Sequence, residues 1–115
     1  MRSNLDAAVI ADCLMLNGNR LGTSIQTLTG TTAIPPDAPH VLAWDPGGGA
    51  REVNLPASPQ SGDFYIIVNT ADAAEVITLE DSASAALTPA CTFTQNEVCF
   101  VVYTGAAWRF FVGVA

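Results

Sequence analysis

The chain contains no lysine and few charged residues of any kind. Its four cations are arginines set singly along the sequence, against eleven acids, for a formal net charge of −7. Nucleic acids and anionic membrane surfaces are bound through clustered cations, and this sequence has no such cluster. We therefore expect neither a nucleic acid nor a membrane as partner.

Residues that catalyse reactions or bind metals are also scarce. Histidine occurs once, at His40, and the three cysteines, Cys13, Cys91 and Cys99, form no CxxC pair. Metal-ligand spacing is absent, and no serine lies in a glycine-flanked nucleophile elbow. We expect no enzyme, no cofactor and no metal site. Cys91 and Cys99 are close enough in sequence to be cross-strand neighbours, and whether they pair as a disulfide stays open.

Long apolar runs are missing as well. No run approaches the roughly 20 residues of a membrane span, and the N-terminus lacks the basic stretch and apolar core of a signal peptide. These features predict a protein that is made in a cytoplasm and is kept or assembled there. Yet half of the residues are hydrophobic and only 13% are charged, well below the usual share of about 25%. The excess apolar surface indicates burial against other subunits or a large partner.

What the sequence has is a series of short β-forming runs separated by turn residues. In the central stretch 52–69, an alternating run ends at Pro56, and five β-formers follow at 64–68. Because this second run is short, apolar and bounded by turn residues, it predicts a strand buried on both sides. Further strands are predicted at residues 25–34, 40–45, 51–55, 76–79, 87–93, 99–103 and 108–114. This spacing is typical of an all-β protein, and we expect a small antiparallel β-sandwich or barrel-like domain.

Two connections are informative. Residues 46–49, Pro-Gly-Gly-Gly, lie between two predicted strands, so we expect a hairpin loop rather than a phosphate-binding loop, which is followed by a helix. The last predicted hairpin, 99–114, is apolar in both arms. A half-exposed antiparallel sheet alternates between apolar and polar residues. Both faces of this hairpin are therefore expected to be covered, one of them by another subunit.

Residues 1–24 differ from the rest. Leu5, Val9 and Cys13 recur at helical spacing, but the same segment also fits two brief strands joined by a turn at Asn17-Gly18. Both interpretations stay open. Because neither element packs well alone, we expect an arm over residues 1–24 that docks on another protein, and a β-domain over residues 25–115.

Two segments carry a resemblance to a known class of proteins. The stretch 55–69, LPASPQSGDFYIIVN, is followed by 103–109, YTGAAWR. Together they resemble the "LP…GD.Y.IVN … Y.G.AWR" signature of small β-domains in tailed-bacteriophage capsid decoration (cement) proteins and in phage head or tail fibres. The resemblance covers roughly residues 50–112. Because fibre proteins are usually long, the size of this chain favours a decoration protein.

The resemblance implies a structural protein of the virion, made in the host cytoplasm. Such a protein would bind the major capsid protein on the outer surface of an assembled head as a homotrimer and would stabilise it. The alternative is a fibre or receptor-binding module that recognises a host glycan through Trp44, Trp108 or loop carboxylates. On the first reading, the arm residues expected to contact the capsid are Leu5, Val9, Leu14, Leu16 and Arg20. The residues expected at the subunit interface are Ile66, Val68, Phe100, Val102, Trp108 and Phe110.

Overall fold

A computed structural model describes residues 21–114, and within that range the chain forms nine β-strands and no helix. The predicted all-β class is therefore confirmed. None of the described residues belongs to a helix that is long and apolar enough to cross a membrane. The strands are β1 (Thr23–Thr27), β2 (Thr32–Ala33), β3 (Val41–Asp45), β4 (Arg51–Asn54), β5 (Phe64–Asn69), β6 (Ile77–Glu80), β7 (Ala86–Phe93), β8 (Glu97–Tyr103) and β9 (Trp108–Val114).

The strands form two sheets, and the chain passes back and forth between them. The five-stranded sheet has the order β1-β3-β5-β8-β9, and the four-stranded sheet has the order β2-β4-β6-β7. From β1 to β6, each strand lies in the other sheet from its predecessor, so β1, β3 and β5 are parallel, as are β2, β4 and β6. The pairs β6–β7, β5–β8 and β8–β9 are antiparallel. The chain thus winds through three turns and is completed by antiparallel strands.

The prediction of an antiparallel domain is wrong, because both sheets are mixed. The loop at residues 46–49 is not a hairpin: it carries the chain from β3 in one sheet to β4 in the other. Its conformation requires Gly47, which has a φ of 78° and where a Cβ atom would lie only 2.3 Å from the carbonyl oxygen of Leu28. Likewise, residues 25–34 form no single strand, since the buried Leu28 lies between β1 and β2 in different sheets. Turn residues mark where the chain changes direction, but not which strand it pairs with next.

The hydrophobic core lies between the two sheets. Every second residue of each inner strand points into it, as expected for a pleated strand. The core residues with at most 1% exposure include Leu42, Trp44, Ile67, Cys99 and Val101 from the five-stranded sheet, and Val53, Ile77, Leu79, Cys91 and Phe93 from the four-stranded sheet. Burying an aliphatic or Phe side chain of this kind contributes about 1.5–3 kcal/mol. The indole N–H of Trp44 donates a hydrogen bond to Ser24 Oγ at 3.2 Å, so this large side chain is buried without losing its polar partner.

A polar side chain joins the two sheets at one end of the core. Asn69, at the end of β5, is fully buried. Its Nδ2 donates to the carbonyls of Glu75 (2.9 Å) and Phe93 (3.1 Å), and its Oδ1 accepts from the N–H of Ala71 (3.0 Å). The amide therefore fixes the loop after β5 and ties it to β7 in the facing sheet.

The two described cysteines also face each other across the core. Cys91 and Cys99 are buried free thiols whose sulfur atoms lie 3.5 Å apart, one from each sheet. They are therefore neighbours across the sandwich rather than along one sheet. The hydrogen bond with Cys91, together with burial, raises the pKa of the Cys99 thiol well above its usual range.

The strand predicted at 64–68 is present as β5, but it is not buried on both sides. Tyr65, Ile67 and Asn69 are buried, whereas the residues between them are half-buried and face away from the core. The last hairpin, β8–β9, is confirmed, with Tyr103 opposite Trp108 at its turn. The apolar residues of the five-stranded sheet thus lie on both of its surfaces, although only one surface meets the core.

Candidate interaction surface

The described residues 21–114 contain no pocket and no group of three or more His, Cys, Asp and Glu side chains that could hold a metal ion. His40 has a local structural role. Its Nδ1 donates to the carbonyl of Phe64 at 2.7 Å, and its ring stacks on that of Phe64 at a centroid distance of 4.1 Å. The unusual feature of the chain is instead the surface of the five-stranded sheet that faces away from the core.

We call this surface the outer apolar face. The strand register brings its side chains into lines that cross the sheet. Ile25, Ala43, Val68 and Val98 lie side by side, as do Val41, Ile66, Phe100 and Phe111, and Phe64 lies beside Val102. These ten residues, all apolar, define the face. It extends over all five strands, whereas the predicted interface residues lie on β5, β8 and β9 alone.

The side chains of the outer apolar face cover one another in part. Most are half-buried by their neighbours, but Ile25 on β1 is 81% exposed and Phe111 on β9 is 65% exposed. The aromatic rings run across three strands, with centroid distances of 6.0 Å from Phe64 to Phe100 and 5.7 Å from Phe100 to Phe111. Their spacing is typical of favourable aromatic pairs. The face therefore offers a continuous apolar surface.

The four-stranded sheet shows what a solvated surface looks like in the same molecule. On its central strands β4 and β6, the residues that point away from the core are polar, namely Glu52, Asn54, Thr78 and Glu80, and they alternate with the buried Val53, Ile77 and Leu79. On the edge strands, the outward residues include the small Ala33 and Ala90 beside Thr92. The alternation on β4 and β6 is the ordinary pattern of a sheet with one face in water. The two outer surfaces therefore differ in chemistry, and contiguous apolar surface of this kind marks sites of interaction.

Charged side chains stand only at the margins of the outer apolar face. Asp45 ends β3, and one of its carboxylate oxygens accepts from the N–H of Gly47 at 2.8 Å. Arg109 lies opposite Val102 on the edge strand β9, at the other end of the sheet, and is exposed. The central strand β5 contributes Phe64, Ile66 and Val68 to the middle of the face, with no charge among them. The face is therefore apolar across its middle, with one acid and one base at opposite ends.

The structure places the predicted interface residues on two different surfaces. Ile66, Val68, Phe100 and Val102 belong to the outer apolar face. Trp108 and Phe110 lie on the other side of β9 and pack against the core. The interface itself stays a prediction. The residues that sequence reasoning missed are Ile25, Val41, Ala43, Phe64, Val98 and Phe111.

One signal in the sequence points to Phe111. In a strand, residues two apart share a face, and Phe111 is two residues from Arg109, whose charge favours water. That relation places Phe111, rather than Phe110, on the outer surface of β9. The predicted arm residues Leu5, Val9, Leu14, Leu16 and Arg20 lie outside the described residues.

The two segments of the quoted signature lie against each other. The N–H of Gly62 donates to the carbonyl of Tyr103 at 2.8 Å, and the N–H of Tyr103 donates to the carbonyl of Asp63 at 2.8 Å. The Trp108 ring lies 6.4 Å from Tyr65 and 5.3 Å from Tyr103, measured between centroids. These residues form one structural unit at the end of the sandwich, which gives each of them a role in holding the fold.

Neither tryptophan of the glycan alternative presents a fully exposed ring on which a sugar could stack. Trp44 is fully buried, so its ring has no free face. Trp108 is half-buried, and its ring packs beside two tyrosines.

Comparison of the chain with protein-family models, with curated proteins and with solved structures gave no match.

Proposed function

We propose that this chain is a structural virion protein that binds the outer surface of an assembled phage capsid as a homotrimer and stabilises it without catalysis. The observation that supports assembly into a homotrimer is the outer apolar face, since a contiguous exposed apolar surface favours contact with another protein surface. The resemblance in segments 55–69 and 103–109 supports the phage context.

The proposed mechanism is burial of surface area. Contacts of an arm and a rim that bury on the order of 1,000 Å² per subunit suffice for a specific interface. Linking three copies raises the overall affinity further, because the second and third contacts form within the same complex. In this scheme the residues before β1 contact the capsid protein, and the β-domain holds the copies together. The chain would be made in the host cytoplasm and would finish on the capsid.

The test is binding of the purified full chain to empty, expanded heads of the phage that encodes it, prepared without this protein. We expect the chain to sediment with the heads and to raise the temperature at which they rupture. The variant Leu14→Asp is expected to lose head binding while its mass in solution is unchanged, because Leu14 is assigned to the arm. Thr78→Asp is the matched control, since it places the same charge on the polar outer surface of β6 and is expected to bind normally. Failure of the unaltered chain to bind heads at micromolar concentration contradicts the proposal.

A further inference from the structure

We infer that the outer apolar face is covered by other copies of this chain, with three five-stranded sheets forming the sides of a triangular core and their outer apolar faces turned inward. The inference rests on the proposed function for the number three. The choice of another copy as partner rests on the net charge of the chain, on the exposed apolar side chains at the edges of the five-stranded sheet, and on the width of that sheet.

Charge favours this surface for contact between copies. Each copy carries a net charge of −7, so two copies repel each other, and this repulsion is weakest when acids lie away from the contact. The outer surface of the four-stranded sheet carries Glu52 and Glu80, and bringing two such surfaces together places like charges opposite each other. The outer apolar face has a single acid, Asp45, at its margin. It is therefore the sheet surface on which identical acidic copies can meet.

The exposed side chains indicate contacts at both edges of this sheet. The large apolar side chains that are exposed in the described part of the chain are Leu21, Ile25, Phe111 and Val114. Leu21 and Ile25 lie just before and on β1, whereas Phe111 and Val114 lie on β9, and these strands are the opposite edges of the five-stranded sheet. A contact between two different edges is head-to-tail, and such contacts form closed rings when the rotation permits. A two-fold dimer that packs the two faces together would also cover Ile25 and Phe111, but it would leave the backbone edges of β1 and β9 unpaired.

The dimensions agree with a ring of three. With strands about 4.8 Å apart, five strands plus one contact between edges give each side a length of about 24 Å. Simple geometry then puts each sheet about 7 Å from the three-fold axis, while side chains between packed sheets reach about 5 Å, half of the usual separation of about 10 Å. The remaining distance of about 2 Å to the axis is small enough to be filled by aromatic rings, namely those of Phe64 on the central strand β5 and Phe100 on its neighbour β8.

The test is the mass of the full chain in solution, by sedimentation equilibrium at micromolar concentration. The unaltered chain and the control Thr78→Asp are expected at three times 12.0 kDa. Ile66→Asp, which places a charge at the centre of the face, is expected to be a monomer with unchanged circular dichroism. Because Ile66 is half-buried, Phe111→Asp serves as a second variant whose exposed position carries little folding cost. A monomeric or dimeric unaltered chain, or a trimer of both face variants, overturns the inference.

A mixing experiment tests the contact between unlike edges. Ile25→Asp places a charge on the β1 edge, and Phe111→Asp places one on the β9 edge. In a mixture, the unaltered β9 edge of the first variant can therefore still contact the unaltered β1 edge of the second. We expect each variant to be monomeric alone and the mixture to contain a one-to-one complex of twice 12.0 kDa. No complex in the mixture overturns the head-to-tail arrangement. If heads fail to bind the chain but Ile66→Asp still dissociates the trimer, the proposed function fails and this inference stands. If heads bind the chain but Ile66→Asp remains a trimer, the proposed function stands and this inference fails.

Discussion

Replacing Asn69 by aspartate tests whether the buried amide is the link between the two sheets. The change is nearly isosteric, but it removes both N–H donors, which now bond to the carbonyls of Glu75 and Phe93. A carboxylate at this fully buried position would face two carbonyl oxygens. Burial and these oxygens both disfavour the charged form, so the pKa of the new carboxyl is expected to rise above its unfolded value of about 3.9.

The expected cost depends on pH. Holding the new carboxyl neutral costs about 1.36 kcal/mol for each pH unit above about 3.9, which gives about 1.5 kcal/mol at pH 5 and about 4 kcal/mol at pH 7. The neutral carboxyl has one O–H donor in place of two N–H donors, so one hydrogen bond is still lost, which adds about 1 kcal/mol. Because the folded pKa is raised, the deficit of this variant relative to the unaltered chain is smallest at low pH and grows as the pH rises. A loss of about 5 kcal/mol at pH 7 is comparable to the whole stability of many domains, about 5–15 kcal/mol.

The measurement is urea unfolding followed by tryptophan fluorescence at pH 5, 6 and 7, at one protein concentration. Asn96→Asp is the matched control: the residue is exposed in the turn before β8, with φ of 64°, a conformation that Asp also tolerates. That variant is expected to stay within about 0.5 kcal/mol of the unaltered chain. The reasoning is refuted if Asn69→Asp costs no more than the control, or if its deficit does not grow between pH 5 and pH 7.

Two further substitutions test the core and a connection. The hydrogen bond with Cys91 and burial raise the pKa of Cys99 in the folded chain, whereas the thiol of the unfolded chain has a pKa of about 8.5. Above pH 8.5 the free energy of unfolding should therefore fall by up to about 1.4 kcal/mol per pH unit because of this thiol. Cys99→Ala should remove that part of the slope between pH 8.5 and 9.5, and equal slopes would contradict it. Gly47→Ala should destabilise by about 3 kcal/mol or more, because the new Cβ would lie 2.3 Å from a backbone carbonyl oxygen. Gly48→Ala, at φ of 105° with open space around it, should cost about 1–2 kcal/mol in urea unfolding, and similar losses for the two would refute the steric argument.

The positions of the strands could be predicted from the sequence because they depend on local properties. Runs of β-branched and aromatic residues, ended by Pro, Gly or Asn, locate β3, β5, β8 and β9 to within a residue or two. The pairing could not be predicted in this way. The loop after β3 has the composition of a hairpin turn, yet β3 pairs with β1 and β5, whose residues are distant in sequence. Pairing between such strands depends on how the whole chain packs.

The sequence predicts only some of the residues of the outer apolar face, because the orientation and the pairing of its strands are not local properties. The all-apolar hairpin indicated two covered faces, but alternation does not orient a strand that is apolar on both sides. The pattern therefore predicts Trp108 and Phe110 at the subunit contact, whereas in the structure they pack against the core. The extension of the face to Ile25 and Val41 depends on β1 and β3 lying beside β5, which the sequence pattern does not reveal.

The winding of the chain between its two sheets has a consequence for the order of folding. Val41 pairs with Ile66 and Thr23 pairs with Val41, so each parallel contact closes a long loop and is slow to form. The β8–β9 hairpin needs only a short turn, and β5 pairs with β8. The β8–β9 hairpin, which is synthesised after the other described strands, is therefore expected to act as the template on which the earlier turns assemble. We therefore expect β1 and β3 to stay unpaired during synthesis until β8 and β9 have emerged.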